Sequence, residues 1–120
     1  MVITADGSRL LVAESHAGRI SSFTITPNGD LENRTTLAEI PNSAPDGLCI
    51  AADGTIWYAD VPNRHCRRIT AEGVIVETID ADRGCSSCAV SPDGTLFITA
   101  NVWDDDTFTS RRGVVYRMTS

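Results

Sequence analysis

Lysine is missing from this 120-residue chain, and all ten basic residues are arginine. That excludes Schiff-base catalysis and any mechanism that needs a lysine base. Positive charge is also outnumbered. Sixteen acidic residues bring the net charge to −6 and the pI to about 4.7, so neither nucleic acid nor an anionic membrane surface is the expected partner. No apolar run approaches the ~20 residues that cross a bilayer. The opening M-V-I-T-A-D-G lacks the basic region and apolar stretch of a signal peptide, which makes the cytoplasm the expected location. Convincing helical periodicity is absent as well, and glycines and prolines fall between apolar runs rather than inside them.

Cysteine is sparse: Cys49, Cys66, Cys85 and Cys88. The C-x-x-C of Cys85 and Cys88 suits a redox pair or half a zinc site. Cys49 and Cys66 form no second C-x-x-C, however, and Cys85 does not open a helix in a thioredoxin-like setting. Four reduced structural thiols are expected. A mass of 12.9 kDa with 42% hydrophobic residues allows one domain with one modest core.

What the chain does have is a repeat. M-V-I-T-A-D-G-S-R-L-L-V-A-E, L-C-I-A-A-D-G-T-I-W-Y-A-D and C-A-V-S-P-D-G-T-L-F-I-T-A-N share one shape: apolar strand, Asp-Gly turn, second strand, terminal polar residue. The turns fall at Asp6-Gly7, Asp53-Gly54 and Asp93-Gly94, spacings of 47 and 40 residues. Asp-Gly between apolar runs is a strong hairpin signal. A third β-rich run follows each hairpin (R-I-S-S-F-T-I, C-R-R-I-T, G-V-V-Y-R-M), and the first two repeats add a fourth, T-T-L-A-E-I and I-V-E-T-I. Four strands recurring every ~40–50 residues mark a β-propeller blade. The fold class expected is therefore all-β: about three four-stranded blades, near 1–40, 41–80 and 81–120, of a larger propeller. Glu14, Asp60 and Asn101 recur at the ends of second strands and read as structural caps.

The segment A-P-D-G-L-C-I holds the most informative carboxylate, Asp46. Read locally, it is a turn: Pro45 presets φ, Gly47 supplies a positive φ and Asp46 bonds nearby amides. Aligned on the Asp-Gly turns, Asp46 lies seven residues before Asp53, and Ser86 lies seven before Asp93. The two should occupy equivalent rim positions of neighbouring blades, Ser86 as a candidate substrate contact. Trp57 is expected to pack between blades, next to Tyr58 in a strand of alternating environment. Asp104, Asp105 and Asp106 lack the spacing and glycine of an EF-hand loop and read as a solvated loop balanced by Arg111 and Arg112. His16 and His65 read as exposed loop residues outside any nucleophile elbow. The group Arg64, Arg67 and Arg68 is too small for nucleic acid.

A-P-D-G-L-C-I-A-A-D-G-T-I-W-Y-A-D, flanked by V-A-E-S-H-A-G-R-I and D-R-G-C-S-S-C-A-V, resembles the senescence marker protein/gluconolactonase/luciferin-regenerating enzyme family, over essentially the whole chain and closest to bacterial members. The resemblance implies the C-terminal half of a six-bladed propeller that hydrolyses sugar lactones with one divalent metal, calcium or zinc. It places the family's metal ligand and candidate general base on Asp46. The family's asparagine ligand falls ahead of Met1, and the glutamate ligand and substrate-gripping residues belong to blades outside this chain. The expected function is a gluconolactonase-like hydrolase site to which this chain contributes in part, with a sugar lactone as partner and a homodimer as one way to close the ring. The alternatives are a non-catalytic propeller fragment or binding module, or a related esterase or phosphotriesterase.

Overall fold

The computed structural model describes residues 1–118. Eleven strands form three antiparallel meanders, with no helix among the described residues. The first sheet runs β1 (Val2–Ile3), β2 (Arg9–Glu14), β3 (Arg19–Ile25) and β4 (Leu31–Glu39). The middle sheet runs β5 (Pro45–Ile50), β6 (Ile56–Asp60), β7 (His65–Ile69) and β8 (Ile75–Asp80). The third has β9 (Gly84–Val90), β10 (Leu96–Asn101) and β11 (Val114–Met118). It is three-stranded among the described residues, in keeping with the fourth run seen only in the first two repeats. Packing between sheets centres on first strands: β5 lies against β9, β2 and β1. This is the blade arrangement of a propeller.

Each hairpin closes by one local device. Asp6, Asp53 and Asp93 each accept a hydrogen bond at Oδ1 from the amide two residues on (Ser8, Thr55 and Thr95, each 3.0 Å). The following glycines sit at φ +74°, +85° and +88°, a region that side chains with a Cβ rarely enter. Hydrogen bonds from Ser8 and Thr4 hold the Asp6 carboxyl at about 2, and those from Ser91 and Thr95 hold Asp93 at about 2.

Alternation along the strands then builds two cores. Every residue of β6, Ile-Trp-Tyr-Ala-Asp, is buried, so its faces do not alternate between core and solvent. The reason is position: the middle sheet is covered on both sides. Ile56 and Tyr58 join Leu11, Ile20, Ala38, Ile40, Leu48 and Ile69 at the first junction. Trp57 and Ala59 join the four cysteines, Leu96, Ile98 and Ala100 at the second. Trp57 is thus the packing residue expected between blades.

Candidate functional site

Pro45 is buried at the start of β5, its carbonyl accepting from Ser15 Oγ at 2.7 Å. Pairing with β6 runs Pro45↔Asp60 and resumes at Leu48↔Tyr58, so Asp46 and Gly47 together oppose Ala59. That is a β-bulge, a device that re-aims a side chain. On β9 the pairing runs Cys85↔Ala100 and then Ser87↔Thr99, leaving Ser86 as the extra residue. The two sequence-aligned positions therefore carry matching bulges on neighbouring first strands.

Those bulges touch. A Cβ on Gly47 would fall 2.6 Å from Ser87 Cα and 2.9 Å from the Ser86 carbonyl oxygen. Gly47 is not in the positive-φ region, which corrects the expectation of a turn glycine: space, not φ, demands the missing side chain. The same geometry answers the local reading of Asp46. Its carboxylate is exposed and has no hydrogen bond or ion pair among the described residues, unlike the three turn aspartates. Ser86 Oγ lies 3.2 Å from the Thr99 carbonyl and 3.1 Å from Thr99 Oγ1, and it borders a cleft of about 400 Å³ shared with Asn101, Trp103 and Gly113. Thr99 and Trp103 were not singled out in the sequence; both reach this rim only through the β9–β10 pairing and the loop after β10. Trp103 donates from Nε1 to the Gly84 carbonyl at 3.2 Å.

The recurring polar residues at strand ends are structural. Glu14 accepts from Arg19 Nε (2.7 Å), Arg34 (2.8 Å) and Ser21; the Arg19 and Ser21 hydrogen bonds lower its carboxyl to about 2. Asp60 is fully buried and accepts from Ser43, the Asn63 amide (3.2 Å) and Asn63 Nδ2 (2.8 Å). Burial pushes its carboxyl up, but the Ser43 and Asn63 hydrogen bonds outweigh it and leave the group below its ordinary value. Asn101 accepts from the Val102 amide at 2.8 Å. His65 corrects the sequence reading. It is buried at the start of β7, paired across the hairpin with Asp60, Nε2 lying 3.3 Å from that carboxylate. His16 is exposed, as expected. In the acidic run, Asp104 is held by Arg112 at 2.6 and 2.9 Å; Arg111 makes no such pair among the described residues. No group of three or more His, Cys, Asp or Glu that could hold a metal ion occurs among the described residues.

Comparison with known proteins agrees with the repeat. The profile of the SMP-30/Gluconolactonase/LRE-like region matches residues 1–102. L-arabinolactonase of Azospirillum brasilense is 28% identical over 98 residues, 79% of this chain and 33% of that protein. Virginiamycin B lyase of Nocardia farcinica is 31% identical over 105 residues, 81% of this chain and 35% of that one. The structure of a luciferin-regenerating enzyme superposes with a TM-score of 0.82 at 22% identity, covering 98% of this chain and 43% of its own. At that identity the likeness speaks for the fold alone. The chain spans about a third of the length of the curated relatives it matches.

Proposed function

This chain belongs to the SMP-30/Gluconolactonase/LRE-like family, and from that premise we propose that it supplies part of the site of a sugar-lactone hydrolase, with Asp46 as its working carboxylate. The observation that carries the reading is the unpartnered, solvent-facing carboxylate of Asp46 on a bulge against β9. A carboxylate so held can take a proton from water as the water oxygen adds to a lactone carbonyl carbon; the ring C–O bond then breaks to the hydroxy acid. Ser86 Oγ, steadied by Thr99, offers a hydrogen bond to a sugar hydroxyl beside it.

The family's divalent metal does not fit the described residues by themselves. Calcium takes six to eight oxygens and catalytic zinc usually three protein ligands, whereas Asp46 is one. Asp46 would serve as one ligand, with the rest of a calcium or zinc shell supplied from outside the described residues. That same shortfall favours a second reading, a non-catalytic module, for the chain acting alone. Calorimetric titration with Ca²⁺ and Zn²⁺, repeated on Asp46→Ala, tests the proposal. Weak binding that the substitution abolishes is expected; equal behaviour of the two proteins removes Asp46 from the site. Phe97 and Val115, exposed together on the outward face of the third sheet, form apolar surface that a second copy would cover. Light scattering showing a well-folded monomer rejects that partner.

A further inference from the structure

All four cysteines gather in one core, at the junction of the middle and third sheets. Cys49 comes from β5, Cys66 from β7, and Cys85 and Cys88 from β9. They are not equivalent. Cys66 and Cys85 are sealed at 0% exposure, while Cys49 and Cys88 keep 9% and 8%. Cys49 Sγ lies 3.4 Å from Cys88 Sγ, and Cys66 hydrogen-bonds with both Cys85 and Cys88, so the contact between the two less sealed residues is one edge of a larger thiol cluster. Cys88 reaches across to the middle sheet, its Sγ 3.7 Å from the Trp57 carbonyl and 3.8 Å from that of Gly47. Nothing in the proposed lactone chemistry uses these sulfurs.

We propose that Cys49 and Cys88 are an oxidisable pair, which a small hydroperoxide converts to a disulfide joining β5 to β9. The sulfurs must close from 3.4 Å to a bond of roughly 2.05 Å, a movement of about 1.3 Å within reach of side-chain rotation. Hydrogen bonding to Cys49 and Cys66, together with burial, pushes the Cys88 thiol up, while hydrogen bonds from Cys85 and Cys88 pull Cys66 down to about 5. Cys66 is sealed from peroxide at 0% exposure, and within the touching pair Cys88 is the sulfur held as a thiol, which leaves the first attack to Cys49. Its thiolate displaces hydroxide from hydrogen peroxide and becomes a sulfenic acid. Cys88 sulfur then attacks that sulfur, its proton leaving with the sulfenic oxygen as water. Two thiols and one peroxide give one disulfide and two waters; each sulfur loses one electron and the peroxide gains both. Cys66 and Cys85 stay reduced because the fold shields them. The new bond lies three residues from Asp46 and two from Ser86 along their strands, and so fixes the separation of the two bulges whether or not a lactone is the substrate.

Native protein treated with one equivalent of hydrogen peroxide, alkylated, digested and mapped by mass spectrometry is the test. The expected map shows a Cys49–Cys88 linked peptide, loss of two hydrogen masses from the intact chain, and alkylated Cys66 and Cys85. The unfolding midpoint rises by several degrees and returns with dithiothreitol. The Cys66→Ser/Cys85→Ser double variant keeps the link; should it fail to fold, the map of the parent protein decides. Four alkylated thiols, a link through Cys66 or Cys85, or added oxygen without a cross-link overturns the proposal.

Discussion

Strand β6 sends Ile56 and Tyr58 toward the first sheet and Trp57 and Ala59 toward the third, so a single run of five residues builds both junctions. On the first side the partners are branched aliphatics: Leu11, Ile20, Ile40, Leu48 and Ile69. On the second, four thiols and two alanines do much of the filling around Trp57, whose ring carries the Arg68 guanidinium 5.8 Å from its centroid. Small, slender side chains let backbones approach, and it is here that Gly47 meets Ser87. The exposed carboxylate and the touching sulfurs share that seam. A propeller can thus hold together at one blade junction by bulk and set the spacing of rim groups at the next by thinness.

Four tests would break or sharpen this contrast. The largest effects belong to the anchors. Trp57→Ala should cost ~3–5 kcal/mol and Leu11→Ala ~2–5 kcal/mol, read as shifts in the urea midpoint. One shared transition for both variants would mean the junctions fold together; two would separate them. Gly47→Ala comes next, at about 1–3 kcal/mol, because its Cβ meets backbone that cannot swing away. Gly54→Ala has open space and bears only the strain of φ +85°, so roughly 1 kcal/mol is expected. Third, Cys85→Ala should cost about 1 kcal/mol by chemical denaturation, as for a small buried apolar group. A loss as large as that of Leu11→Ala would mean the thiol junction depends on bulk after all.

The smallest effect is acid sensitivity. Glu14, Asp6 and Asp93 have carboxyls lowered to about 2 in the folded chain, against roughly 4 when unfolded. Their stabilisation is full above the unfolded value and is lost as pH falls from there toward 2. Thermal midpoints measured between pH 5 and 2 should drop, and Glu14→Gln should flatten part of that slope. These groups hold the first sheet and the hairpins.

Much of the strand pattern was legible because it is local. The Asp-Gly turn needs only its own residues and the next two, and R-I-S-S-F-T-I coincides with β3 as it forms. The equivalence of Asp46 and Ser86 was readable too, since a repeat carries its bulge along with its turn. What depends on distant chain was hidden. Gly47 answers to Ser87, forty residues on, so its need for space looked like a need for a turn. His65 sits in a polar stretch, N-R-H-C-R, and only the pairing with Asp60 reveals its burial. Nothing in the cysteine spacing announced that all four would meet, because that follows from how two sheets face each other.

The missing Cβ at Gly47 makes the gap between the two rim positions a matter of main chain resting on main chain. Side chains around that contact can be exchanged without carrying Asp46 along. The side chain of Ser86 is consequently free to change in size or polarity while the backbone that carries Asp46 stays where it was, which keeps one of the two positions rigid and leaves its neighbour adjustable.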